Sequence, residues 1–157
     1  MGATPNDQMK RVGVLRGQYQ MKGEMVMIPG QPALGISGTD AFQMVWGGNV
    51  MHGRTDGYAE GAPDAYESHA FWGWDPLKKC IRAVYVSNMG EVGQMDVRWV
   101  EDAIVSTGAG TMNGQPSLQR FTMKLGRKGG IKSVEGTTVV GTMAPFTSFK
   151  ATYKKQR

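Results

Sequence analysis

Hydrophobic and polar side chains alternate with a period of two along most of the chain, the spacing of a strand with one buried face. Tyr19, Met21, Met25 and Met27 alternate with Gln18, Gln20, Lys22 and Glu24, and Gly17 and Gly23 fall on the apolar side. The same rhythm sets Met95, Val97 and Trp99 against Gln94, Asp96 and Arg98. It returns with Phe121, Met123 and Leu125 against Arg120, Thr122 and Lys124, and with Phe149, Ala151 and Tyr153 against Ser148, Lys150 and Thr152. Turn-forming clusters cut the pattern into short pieces: Pro29-Gly30-Gln31-Pro32, Gly47-Gly48-Asn49, Gly61-Ala62-Pro63-Asp64, Asp75-Pro76-Leu77-Lys78, Asn88-Met89-Gly90, Glu101-Asp102, Asn113-Gly114-Gln115-Pro116, and the glycine-bearing stretches 126–130 and 141–145.

The spacing predicts strands beginning at Leu15 and then over 36–46, 50–60, 66–74, 79–87, 92–100, 103–112, 117–125, 132–140 and 147–153. Ahead of them, Pro5 to Val12 predicts one or two helical turns with Asn6 as N-cap, Asp7 favourable in the first turn and Gly13 as the stop. Ten short strands with hairpin-length connections leave no room for helical crossovers. The predicted fold is therefore all-β: a single antiparallel up-and-down barrel of about ten strands with a short N-terminal helical turn. The expected organisation is a lead-in over 1–13, a barrel domain over 14–154 and a basic tail over 155–157. A barrel of this strand number is wide enough that side chains need not fill it, which leaves space for a ligand.

Length and composition narrow the function. A chain of 157 residues builds one core, and its 23 dispersed glycines suit many turns. The net charge of +5 comes from scattered residues, with small groups at Lys78-Lys79, Arg127-Lys128 and Lys154-Lys155, so a solvated surface is expected and a nucleic-acid partner is not. The single cysteine, Cys80, allows neither an intrachain disulfide nor a multi-cysteine zinc site. No apolar run reaches the length of a membrane span and the first residues lack a secretory pattern, so a soluble, cytoplasmic protein is expected.

Gly17-Gln18-Tyr19, just after a helical lead-in, is similar to the Gly-x-Trp signature of lipocalins and other calycins, with tyrosine in place of tryptophan. Gly38-Thr39-Asp40, Trp46-Gly47-Gly48, Gly57, Phe71-Trp72-Gly73-Trp74-Asp75-Pro76 and the stretch from Tyr85 to Gly90 follow in order. Together they resemble a bacterial calycin-like family of unknown function, domain-of-unknown-function family 1579, from about Val14 to Tyr153. The resemblance implies a barrel fold and, by analogy, a small hydrophobic ligand.

Tyr19, Met21, Met25, Phe42, Met44, Trp72, Tyr85, Trp99, Phe121, Met123 and Phe149 are expected to point inward. Twelve methionines give that interior an adaptable, polarisable lining, although a filled core uses the same residue types. The expected ligand-binding set is Tyr19, Met21, Met44, Arg54, His69, Trp72, Tyr85, Trp99, Phe121 and Met123. Arg54, His69 and Tyr85 would supply the polar groups that orient the ligand. His52 and His69, with Asp56 or Glu67, have the ligand types of a two-histidine, one-carboxylate centre, but a one-residue slip in register separates them, and no metal is assigned. A nitrobindin-like haem barrel carries its axial histidine near the C-terminus, where this chain has none, so no cofactor is expected.

No Gly-x-Ser-x-Gly elbow is present, and Gly126 to Gly130 has no helix after it to hold a phosphate. Three function classes remain open: a non-enzymatic binder of a small, mainly hydrophobic molecule; an enzyme, either a cyclase or isomerase or a histidine-dependent acid/base catalyst using the barrel pocket; and an interaction module without ligand, for which a homodimer is allowed.

Overall fold

The computed structural model describes residues 6–112 and 114–157; Pro5 and Asn113, which the sequence assigned to the helical lead-in and to a turn, lie outside the described residues. A short helix, α1 (Asp7–Val12), leads through a 3-10 turn (Gly13–Leu15) into ten strands. These are β1 (Gly17–Met25), β2 (Leu34–Val45), β3 (Val50–Ala59), β4 (Tyr66–Asp75), β5 (Cys80–Ser87), β6 (Val92–Val100), β7 (Ala103–Met112), β8 (Gln115–Leu125), β9 (Ile131–Val140) and β10 (Phe146–Lys155). Each strand pairs antiparallel with its neighbour in sequence, and β1 pairs with β10 to close the barrel. No helix among the described residues is long and apolar enough to cross a membrane.

The expected strands stand with small shifts at their ends. Trp46 leaves the strand predicted over 36–46: it has a φ of 49° and, with Gly47, forms a 3-10 turn outside the sheet, three-quarters exposed. The last strand runs through Lys155, one residue into the stretch read as a tail, because Lys155 pairs with Tyr19 across the closing seam.

The helix closes one end of the barrel. Asn6 caps α1 by accepting a hydrogen bond from the Gln8 backbone N–H at 2.7 Å. Met9, Val12 and Leu15 are then buried in one cluster with Tyr19, Met51, Trp72, Ile81, Val97, Ile104 and Ile131, which face inward at that end. The Tyr19 hydroxyl donates to the Leu15 carbonyl at 2.9 Å, and the Arg11 guanidinium lies 3.8 Å from the centre of the Trp99 ring.

Missing side chains shape the inner wall as well. Phe42, Tyr85 and Phe121 each face a glycine on the next strand, Gly53, Gly93 and Gly136; a Cβ on Gly93 or Gly136 would run into the ring, and one on Gly53 would press on it at 3.0 Å. The missing side chain lets each ring lie along the wall. Tyr85 lies against Gly93 and Gly110 and reaches β8, where its hydroxyl donates to Gln119 Oε1 at 3.1 Å.

Candidate functional site

The register decides which candidates can meet. Tyr19, Asp40 and Thr55 are successive cross-strand partners, and so are Phe42 and Gly53, Met44 and Met51, and Met51 and Trp72. All of these share the inner face. The interior receives Tyr19, Met21, Met44, Trp72, Tyr85, Trp99, Phe121 and Met123, together with Met25, Phe42 and Phe149.

Arg54 and His69 do not join them. They lie between the inward residues Gly53 and Thr55 and the inward residues Ser68 and Ala70, so their side chains project from the outer face, and neither can orient a molecule held inside. Of the three polar groups expected to orient a ligand, only Tyr85 is inside.

The outer-face residues instead make a network across β2, β3 and β4. The rings of His52 and His69 are stacked, 7° apart in plane, with His52 Nε2 2.9 Å from His69 Nδ1. The Gln43 side-chain amide lies 3.2 Å from His52 Nδ1, and His69 Nε2 lies 3.1 Å from Glu67 Oε1. A relay in one direction satisfies every group: Gln43 donates to His52, His52 to His69, and His69 to the Glu67 carboxylate. Arg54 pairs with Asp56 at 2.8 Å and with Glu67 at 3.3 Å, and hydrogen bonding and charge from Asp56 hold its pKa above the ordinary value. His52 is lowered by burial and by the neighbouring His69 and Arg54. The two-histidine pairing thus exists, yet its free nitrogens are already committed, and among the described residues no group of three or more His, Cys, Asp or Glu is set to hold a metal. A histidine acid/base reading of the barrel pocket loses its support, since both rings lie outside.

Inside, the structure reveals a polar group not among the expected ligand-binding residues. Asp40 is only 6 % exposed, and the Thr55 and Tyr153 hydroxyls lie close enough to its side chain to favour the ionised form. Burial holds its pKa above the usual carboxylate value, against the lowering effect of those two hydroxyls. Asp40 Oδ1 has no hydrogen-bond partner among the described residues. From Asp40 a row of inward polar residues crosses the wall as cross-strand partners: Asp40 with Thr55, Thr55 with Ser68, and Ser68 with Ser87. Ser87 Oγ donates to Glu91 Oε2 at 3.0 Å and the Tyr66 hydroxyl approaches the same oxygen at 3.3 Å; burial, chiefly, pushes the Tyr66 phenol up to about 12. The signal for Asp40 was available: in the second strand Ile36, Gly38, Asp40, Phe42 and Met44 share one period-two face, and a carboxylate on an otherwise apolar face is anomalous.

Several inward side chains, among them Ala70, Tyr85, Phe121, Met123, Phe149 and Tyr153, remain only half-buried. The interior is therefore reached by water, while α1 covers the helix end.

No protein-family model matches the chain, and no curated protein matches it. Among solved structures it is similar to the crystal structure of Rv2717c from M. tuberculosis, with a TM-score of 0.68, 10 % sequence identity, and coverage of 98 % of this chain and 100 % of that one. At that identity the likeness shows the fold alone, a closed antiparallel barrel.

Proposed function

We propose that the barrel binds a small, mainly hydrophobic molecule in its interior, as calycin-like barrels do. The observation that carries this reading is the half-buried state of inward aromatic and methionine side chains, Phe121, Met123 and Phe149 above all. Apolar surface left in contact with water inside a closed wall yields about 25 cal/mol per Å² when a ligand covers it. The closed barrel and the likeness to Rv2717c support the architecture this requires.

Tryptophan fluorescence tests the reading. Trp46 is exposed and would mask the signal, so the protein is studied as Trp46→Phe, in which Trp72, Trp74 and Trp99 remain. Titration with oleate, retinol and 1-anilinonaphthalene-8-sulfonate should give saturable quenching or a blue shift for at least one probe. A flat response to all three, with a crystal structure whose interior is filled by side chains, would reject it.

A further inference from the structure

We propose that the interior site selects a ligand that carries an amine, with the protonated nitrogen seated on Asp40 and the apolar part against the surrounding rings. This inference rests on the interior-binding reading above and adds the chemical class of the ligand.

Asp40 is the starting point because it is expensive as it stands. A carboxylate taken out of water needs compensating hydrogen bonds and an opposite charge. Thr55 and Tyr153 supply hydroxyls to the side chain, yet Oδ1 is left without a partner. No Lys, Arg or His among the described residues forms an ion pair with Asp40; the acidic partners in such pairs are Asp7, Asp56, Asp75, Asp96, Glu67 and Glu135. A water molecule would satisfy the free lone pair and leave the charge uncompensated. An ammonium group does both.

The surroundings fit the same chemistry. Tyr19 is the direct cross-strand partner of Asp40, and Phe42 follows two residues along β2 on the same face. The Tyr19 ring meets Phe42 edge-on at 6.1 Å and Tyr153 at 6.4 Å, a run of three rings on the wall that carries Asp40, and the Lys155 ammonium lies 5.6 Å from the centre of the Tyr19 ring. Aromatic faces attract cations, and their attraction grows where water is excluded. An ammonium has three N–H donors. Asp40 Oδ1 takes one, and the Thr55 hydroxyl, first in the polar row toward Ser68 and Ser87, is placed to take another. Met21, Met25 and the half-buried Phe149, on the side of Asp40 away from the helix-filled end, remain for a hydrocarbon portion. The overall charge of the chain, +5, works against a cation, so a preference for one would have to come from this local carboxylate.

Three probes of one chain length separate the contributions: octylamine, octanol and octanoate, titrated at pH 7.5 by isothermal calorimetry into the wild-type protein and into Asp40→Asn. Octylamine should bind at least tenfold more tightly than octanol in the wild type, with octanoate weakest. In Asp40→Asn the advantage of the amine over the alcohol should shrink to within about twofold. Octanol matching octylamine, or octanoate exceeding it, would overturn the assignment while leaving interior binding intact. Retention of the full amine advantage by a folded Asp40→Asn protein would do the same. Absence of binding by all three probes, together with a flat response in the tryptophan titrations, would remove interior binding and this inference with it. Should Asp40→Asn fail to fold, the ranking of the three probes on the wild type decides the question alone.

Discussion

At the residue scale, Asp40 is a buried carboxyl group held at the expense of stability. Its pKa is raised in the folded protein, first by burial, and this fixes the sign of a pH effect. Well below pH 4 the carboxyl is protonated in both the folded and unfolded chain and adds no pH-dependent contribution. As the pH rises the unfolded chain ionises first, while the folded protein keeps its proton. The unfolded state then binds fewer protons, and stability falls until the pH passes the folded pKa. Asp40→Asn removes this loss. Urea unfolding should find the stability of the variant rising relative to the wild type as the pH goes from 4 to 7, because the amide keeps the shape and polarity of the side chain without its ionisable charge. A relative stability that stays unchanged or falls over that range would mean that the carboxylate is already compensated.

At the scale of elements, α1 is too short to stand alone and owes its place to packing. It has one capping bond, from the Gln8 N–H to Asn6, and it buries Met9 and Val12 against the barrel end. Met9 is 1 % exposed, so Met9→Ala should cost about 2–5 kcal/mol in urea unfolding, whereas Asn6→Ala, which removes only the cap, should cost about 1 kcal/mol. Equal, small effects would show that the helix is not part of the core. The helix and the strands were legible because their signals are local: an Asn cap, period-two alternation, and Gly or Pro at the turns. The end of β2 was misjudged at Trp46, since a large aromatic residue favours a strand by composition while Gly47 and Gly48 beside it favour a turn. The faces of β3 were harder. On that strand the inward positions are Met51, Gly53, Thr55, Gly57 and Ala59, mostly small, while the outer positions include His52, Arg54 and Tyr58. Side-chain size and chemistry thus drew attention to the wrong face, and the pairing of Met44 with Met51 and of Phe42 with Gly53 fixes the direction. Phe121 and Trp99 sit on strands with clean alternation, and their inward placement could be read directly, whereas Tyr85 lies in the run Ala83-Val84-Tyr85-Val86, which is apolar on both faces.

On the scale of the whole molecule, every strand pairing but one joins neighbours in sequence, so most of the wall is built from hairpins with low loop-closure cost. The exception is the seam between β1 and β10, which brings the two ends of the chain together over seven residue pairs from Tyr19 with Lys155 to Met25 with Phe149. Pairing at such sequence separation should form after the hairpins have reduced the freedom of the chain. Gly23 lies in this seam opposite Ala151, and a Cβ there would land on the Lys150 carbonyl oxygen and come 2.6 Å from the Ala151 Cα, both backbone atoms that cannot swing away. Gly23→Ala should therefore wedge the seam and destabilise the barrel by about 3 kcal/mol. With the seam absent from the folding transition state, stopped-flow kinetics should place that loss in unfolding, accelerated on the order of a hundredfold, with the folding limb nearly unchanged. Gly73→Ala is the control: it lies within a strand, a Cβ there meets nothing within 4 Å, and both limbs should stay within about 0.5 kcal/mol of the wild type. A Gly23→Ala protein that folds a hundredfold more slowly and unfolds at the wild-type rate would show instead that the chain ends meet first and the hairpins assemble on them.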